Sequence, residues 1–340
     1  MSTPRSLDLP DQVQRVTIHS PRGWFAALDA EPPTGVCERR PALILPGFTG
    51  SKEDFIPVLE PLALAGRRVV SIDMRGQYQS PAASSAGGYA PGALAADVAA
   101  IAGVVDGDHQ GLHLVGHSLG GLIAREAVLA GQARVISLTL LASGPGRIAG
   151  QRAELLRGML TLMDTADAEN LSGQSGDAIA ADGRLRLTVE QIWDEHLEPQ
   201  ARVDGVPDLV IGFLRERMMG NSPTGLMAMG RYLLGCLDRT AELARLDELP
   251  IMVLYGENDD AWPASAQERM ARRLGADRVC IPGAGHSPAV EAPETTASTL
   301  TTFWRTAEEE DRRRSSRAMS EGRHDGAASP ASPASRAATA

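Results

Sequence analysis

Ser118 stands in the middle of Gly116-His117-Ser118-Leu119-Gly120, a G-x-S-x-G pattern between an apolar run, 112–117, and an Ala-rich segment that favours helix. A strand that turns this sharply into a helix lifts the side chain at its apex out of the sheet. Glycines are needed on both sides because a Cβ there would strike the neighbouring strand or helix. A serine at such an apex is suited to attack an acyl carbon, provided that a base takes its proton and a third group holds the base. The Leu119 N–H, first on the new helix, points at whatever the hydroxyl attacks. Two later stretches offer the partners. His286 ends Gly283-Ala284-Gly285-His286, just past the apolar run 278–282, and is the candidate general base. Asp259 and Asp260, adjacent on the loop after the apolar run 250–256, compete for the acid that would orient it.

These side chains need a scaffold of strands with helices between them. Apolar runs at 42–45, 68–73, 112–117, 135–141 and 250–256 suit buried parallel strands, and residues 13–18 and 24–28 flank a Ser-Pro-Arg-Gly turn that predicts a hairpin. Helices are predicted at 52–65, capped by Ser51 and ended by Gly66, and at 92–105. From 144 to 249 the pattern becomes helical, with segments at 152–163 and 226–237, shorter ones at 187–197 and 209–219, and a loop at 170–183. Met159, Met163, Met218, Met219, Met227 and Met229 there suit either an adaptable pocket lining or the core of this insert. The last helix is predicted at 294–306, with a flexible N-terminus at 1–12 and a charged, then Ser/Ala/Pro-rich disordered tail at 307–340.

Nucleophile, acid after a late strand, then histidine is an order that resembles the α/β-hydrolase superfamily. The resemblance runs from about residue 13 to 306. Leu45-Pro46-Gly47-Phe48-Thr49-Gly50, the Ser118 turn, Gly256-Glu257-Asn258-Asp259 and Gly283-Ala284-Gly285-His286 carry it. It implies an α/β fold, a mostly parallel doubly wound sheet flanked by helices. Its core would be 13–143 and 250–306, with a mainly helical cap, 144–249, inserted between late strands. It also implies a second oxyanion donor, the Phe48 N–H, beside that of Leu119. Pro46 replaces a histidine usual in that loop, which leaves a backbone donor intact. The G-x-x-D spacing favours Asp259 over Asp260. Asp73-Met74-Arg75-Gly76-Gln77-Tyr78-Gln79-Ser80 resembles D-x-R-G-x-G-x-S with Tyr78 in place of the second glycine, and Asp73 and Arg75 are expected to be a loop-bracing pair. His117 is expected to pack under the turn, His113 to be a satisfied core residue and Glu257 a loop residue. Trp262 could line the pocket or pack the cap.

A net charge of −10 argues against a nucleic-acid footprint, which is basic and clustered. Cys37, Cys236 and Cys280 suggest neither a disulfide framework nor a zinc site, and the histidines have no metal-binding spacing. No run of eighteen apolar residues occurs and the first residues are polar, so a cytoplasmic protein without an integral membrane segment is expected. The implied activity is hydrolysis of a carboxylic ester, esterase- or lipase-like, on a small molecule with an apolar acyl group, through an acyl-enzyme, with no metal or organic cofactor. Cleavage of a C–C bond, an amide or a thioester, and acyl transfer, would use the same triad. Two other classes stay open: a non-catalytic module binding a small molecule in the same pocket, and an interaction protein whose tail from Glu308 recruits partners.

Overall fold

The computed structural model describes residues 2–33, 39–172 and 178–325. Eight strands form one sheet: β1 (Val13–Ser20), β2 (Gly23–Ala30), β3 (Ala42–Leu45), β4 (Val69–Ile72), β5 (Leu112–His117), β6 (Val135–Leu141), β7 (Ile251–Gly256) and β8 (Asp277–Ile281). Their spatial order is β1-β2-β4-β3-β5-β6-β7-β8. The expected hairpin is present, with Val13 opposite Ala30 and Ser20 opposite Gly23. β2 pairs antiparallel with β4, and the other six strands run parallel. β3, β4, β5 and β7 are buried along their whole length, which is why they read as unbroken apolar runs. From β3 the chain steps outward to β4, then returns past β3 to start β5 on its other side. That reversal leaves a crevice beyond the carboxyl ends of β3 and β5, where open α/β sheets place their ligands.

Helices α1 (Ile56–Leu64), α2 (Pro91–Val105) and α3 (Leu119–Ala130) follow β3, β4 and β5. The helix expected at 52–65 opens as a 3-10 turn over Lys52–Phe55, and its Asp54 carboxylate accepts the Ser51 N–H at 3.2 Å. Between β6 and β7 lie α4 (Gly150–Ser172), α5 (Ala178–Ile192), α6 (Glu198–Val203), α7 (Asp208–Gly220), α8 (Pro223–Gly235) and α9 (Thr240–Leu243), with a π-helical turn at Trp193–Leu197. Residues 170–172 and 178–183 are helical where a loop was expected, and 173–177 lie outside the described residues. An alanine-rich stretch sustains helix even without apolar periodicity to announce it. Met163, Met218, Met227 and Met229 are buried in the core shared with the sheet, and Met159 and Met219 pack against it. The insert is tied to the loops at the carboxyl end of the sheet. Arg217 on α7 pairs with Asp54 at 2.7 Å with both side chains almost wholly buried. The Tyr78 hydroxyl donates to Glu216 at 2.9 Å, and the Ser222 N–H to Gly76 O at 2.8 Å.

β7 and β8 are bridged by α10 (Ala264–Leu274), and α11 (Pro288–Glu291) and α12 (Pro293–Asp325) close the chain. α1, α11 and α12 cover one face of the sheet; α2, α3 and α10 cover the other. No helix among the described residues is long and apolar enough to cross a membrane.

Both ends of the chain differ from expectation. Ser2 O accepts from Arg217 (2.7 Å), Arg5 donates to Glu291 O (3.1 Å) and Pro4 is buried, so the first residues are held rather than loose. The last helix does not stop at 306. α12 continues to Asp325, and Glu308, expected in a disordered tail, is buried. Its carboxylate accepts from Arg67 (2.6 Å), the Arg40 N–H (3.2 Å) and His113 Nε2 (3.3 Å). Charge density reads as a solvated tail unless its counter-ions, which here come from distant segments, are known. Residues 326–340, like Cys37, lie outside the described residues.

His113 is fully buried, with Nδ1 2.7 Å from Ser137 Oγ and its ring stacked on Trp304. Burial pushes its pKa down to about 3 against the opposing pull of Glu308, while Glu308, which burial alone would raise, is drawn down to about 2 by His113 and Arg67. Unfolded, His113 takes a proton near the ordinary histidine value; folded, it stays neutral until about pH 3. Between those values the unfolded chain binds the extra proton, so stability is lost as pH falls. Urea denaturation between pH 6.5 and 4 should therefore show a slope that His113→Asn reduces by up to about 1.4 kcal/mol per pH unit. Glu308→Ala, which strands the buried Arg67, should lower the unfolding free energy at pH 7 by about 3–5 kcal/mol.

Candidate active site

At the end of β5 the backbone of Ser118 takes φ +54°, a conformation rare for a non-glycine residue. Only glycine neighbours allow it. A Cβ on Gly116 would lie 2.3 Å from Gly120 O, and one on Gly120 would lie 2.5 Å from Pro46 O. The turn is pinned by Ser118 N–H to Leu141 O (3.0 Å) and by Ser143 Oγ donating to Ser118 O (2.8 Å).

The serine so presented meets both residues expected of it. Ser118 Oγ lies 3.0 Å from His286 Nε2, and His286 Nδ1 lies 2.9 Å from Asp259 Oδ1. The Asp259 carboxylate also accepts the N–H groups of Ala261 (2.9 Å) and Trp262 (3.2 Å) and the side-chain amide of Gln267 (2.8 Å). Burial pushes its pKa up, but the His286 hydrogen bond and charge and the two backbone donors outweigh that, and it sits below the ordinary carboxylate value. Asp260 turns outward, mostly exposed, and pairs with Arg152 at 2.8 Å. Asp259, Asp260 and His286 bring potential metal-ligand atoms within 4.8 Å of one another. Here Asp259 and His286 spend those atoms on each other, and Asp260 faces Arg152. All three members of the Ser-His-Asp relay are buried, at 6–8% exposure.

Three braces around this relay escape sequence reasoning. Gln267 is the first. The second is Glu291, whose carboxylate accepts the Gly285 N–H and, at 2.9 Å, the Ser287 N–H, gripping the chain on both sides of His286. The third is Gln77, whose Nε2 donates to Gly47 O at 2.8 Å. None carries a local motif. His117 lies under the turn as expected, and because its Nε2 meets the His286 carbonyl oxygen at 2.7 Å, that nitrogen carries the proton. Burial, reinforced by the charge of His286, lowers its pKa to about 3, so it stays neutral beside the site.

The loop after β3 lies directly against the turn: a Cβ on Gly47 would stand 3.1 Å from Ser118 Cβ. The N–H groups of Phe48 and Leu119 have no acceptor among the described residues. The expected pairing of Asp73 with Arg75 is not found. Asp73 accepts from the Lys52 N–H and Nζ, both at 2.8 Å, whereas Arg75 grips Asp97 at 2.5 Å. Both brace loops, each with a different partner. Glu257 accepts the Gly283 N–H (3.0 Å) as a loop residue. Trp262 packs at the entry to the insert, its indole donating to Gly146 O (2.9 Å), and its ring centre lies 6.1 Å from that of His286.

Among known proteins, a provisionally named carbamate hydrolase RutD of Variovorax paradoxus is 40% identical over 107 residues, 32% of this chain and 39% of the relative. A pimeloyl-[acyl-carrier protein] methyl ester esterase of Nitrosomonas europaea is 31% identical over 182 residues, 53% of this chain and 66% of the relative. This chain thus spans less than two thirds of the length of either relative. Among solved structures, a thermophilic esterase from Thermogutta terrifontis superposes with a TM-score of 0.60 at 21% identity, over 87% of this chain and 99% of that one, a likeness of fold. The model of the family described as alpha/beta hydrolase fold matches residues 41–293, from the β3 strand through the His286 loop. Sheet order, serine turn and family match agree, and the chain belongs to the α/β-hydrolase fold family.

Proposed function

We propose that the protein is a serine hydrolase that cleaves a carboxylic ester through an acyl-enzyme. The observation that carries this reading is the unbroken relay from Ser118 Oγ through His286 to Asp259, at 3.0 and 2.9 Å, on a strained turn at the sheet's switch point. His286 Nε2 takes the serine proton as Oγ attacks the acyl carbon, then delivers it to the leaving alcohol. Water enters and the same nitrogen acts again to release the acid. Asp259, ionised at neutral pH because its pKa lies low, keeps the His286 Nδ1 proton facing it and stabilises the imidazolium. The N–H groups of Phe48 and Leu119 receive the oxyanion; one such donor is worth about 3–4 kcal/mol of barrier. Burial excludes competing water and strengthens each of these interactions. No step calls on a metal or organic cofactor. The substrate is read as a small molecule with an apolar acyl group. The relative named as a methyl ester esterase supports ester cleavage, and the relative named as a carbamate hydrolase supports C–N cleavage on the same triad as the second reading.

The reading has direct tests. Ser118→Ala should abolish labelling by a fluorophosphonate and all ester turnover while leaving the thermal midpoint within a few degrees of wild type. A folded wild type that is neither labelled nor active would point to a non-catalytic binding module instead. Asp259→Asn should reduce kcat by about 10⁴-fold, the scale set by loss of the correct tautomer. Asp260→Asn, measured alongside, should stay within about twofold of wild type; equal losses in the two variants would overturn the assignment of the acid.

A further inference from the structure

Resting on that serine-hydrolase reading, we propose that Gln77 is a positioning residue that aims and strengthens the Phe48 oxyanion donor. The Gly47 carbonyl and the Phe48 N–H belong to one planar trans amide and point in opposite directions. Whatever holds the oxygen therefore decides where the N–H points. Gly47 itself offers little resistance to rotation of that amide, because glycine tolerates the conformations on either side of a peptide flip. The Leu119 donor is fixed by the start of α3, but the Phe48 donor sits in a loop and needs an outside grip.

Gln77 supplies it. Its Nε2 donates to Gly47 O at 2.8 Å, and the Gly50 N–H adds a second bond to the same oxygen at 3.1 Å. Its Oε1 accepts the Met74 N–H at 3.2 Å, so the side-chain amide is hydrogen-bonded at both ends and has one orientation. The side chain is fully buried. Its own backbone is locked in turn, donating to Met74 O and accepting from Ser80, both at 2.9 Å. Asp73, the residue before Met74, is tied through Lys52 to the start of the helix that follows β3. The grip is thus anchored on the loop after β4 and delivered to the loop after β3, which borders the switch point.

Two consequences follow from the chemistry. Direction comes first: removing the Nε2 donor frees the Gly47–Phe48 amide to rotate away from Ser118. Strength comes second, because a hydrogen bond accepted by a carbonyl polarises its amide and makes the N–H of the same unit a better donor. Both act when the oxyanion forms and hardly at all in the ground state, so the effect belongs in kcat rather than KM. A carboxylate in place of the amide would set two oxygen acceptors face to face and drive the peptide the wrong way.

The test compares wild type, Gln77→Leu and Gln77→Glu, all first titrated with a fluorophosphonate. An absence of Ser118 labelling in wild type would overturn the hydrolase reading itself. With labelling present, kcat for a p-nitrophenyl ester should fall about 10–10²-fold in both variants, short of the 10²–10³ that loss of a whole donor brings. KM should stay within about twofold. Affinity for a trifluoromethyl ketone, whose adduct with serine carries the same oxyanion, should fall by the factor seen in kcat. Unchanged kcat and ketone affinity in folded variants would overturn the proposal, as would losses that track the thermal midpoint while ketone affinity holds. If neither variant folds, the Gln77 side-chain amide protons of ¹⁵N-labelled wild type are followed as the ketone adduct forms. A downfield shift is expected; none would overturn the proposal.

Discussion

Everything at the site depends on how closely three pieces of backbone approach one another around Ser118. The exit of β5, the first turn of α3 and the loop after β3 meet with no room for a Cβ at Gly116, Gly120 or, without some give, Gly47. That contact holds Ser118 in positive φ and brings Gly47 against it. Strain of this kind costs about 1–3 kcal/mol and persists only where surrounding packing over-determines it. Here the Leu141 and Ser143 contacts from β6 and the buried β3–β5 ladder do so.

Around that contact, polar groups divide into two buried systems at opposite ends of the sheet. At the carboxyl end, the buried Asp259, Gln267, His117 and Gln77, joined by the exposed Glu291, each satisfy a specific backbone or side-chain group that positions Ser118, His286 or their loops. Removing water makes such bonds stronger and makes each unmet partner costly, so the braces form a connected set. At the amino end, Arg67, His113, Glu308 and Trp304 tie α12 to the sheet, with the Arg67 guanidinium 5.1 Å over the Trp304 ring. The first system positions Ser118, His286 and Asp259; the second fastens a helix whose later turns are too polar to be held by apolar burial alone.

The insert between β6 and β7 reaches the same end of the sheet. The almost wholly buried pair Asp54–Arg217 fixes α7 to the turn after β3, and Tyr78 and Gly76 fix the following turn. Tyr78, which stands where the resembled family pattern has glycine, adopts positive φ and packs edge-on against Phe213 of the insert. The departure from the pattern marks a contact with the insert.

Much of this was legible in sequence for one reason: strands buried on both faces are short apolar runs, and the residues that end them sit in short glycine-containing motifs. Ser118, His286 and Asp259 could be named because each ends or follows such a run, and the choice of Asp259 over Asp260 came from the resemblance to the family's G-x-x-D pattern. The misreadings share a different reason. Asp73 and Arg75 are neighbours in sequence but bind partners elsewhere, Glu308 reads as solvated until Arg67 and His113 are seen beside it, and Gln77 is an ordinary polar residue until Gly47 lies against it. By itself the sequence determined the order of the strands and most of the helices and singled out the serine, histidine and aspartate that the structure brings together, because periodicity and local backbone demands are written in adjacent residues. Only the tertiary structure decided which polar groups are buried and whom they bind, because a hydrogen bond between residues 30 or 195 apart leaves no trace in either neighbourhood.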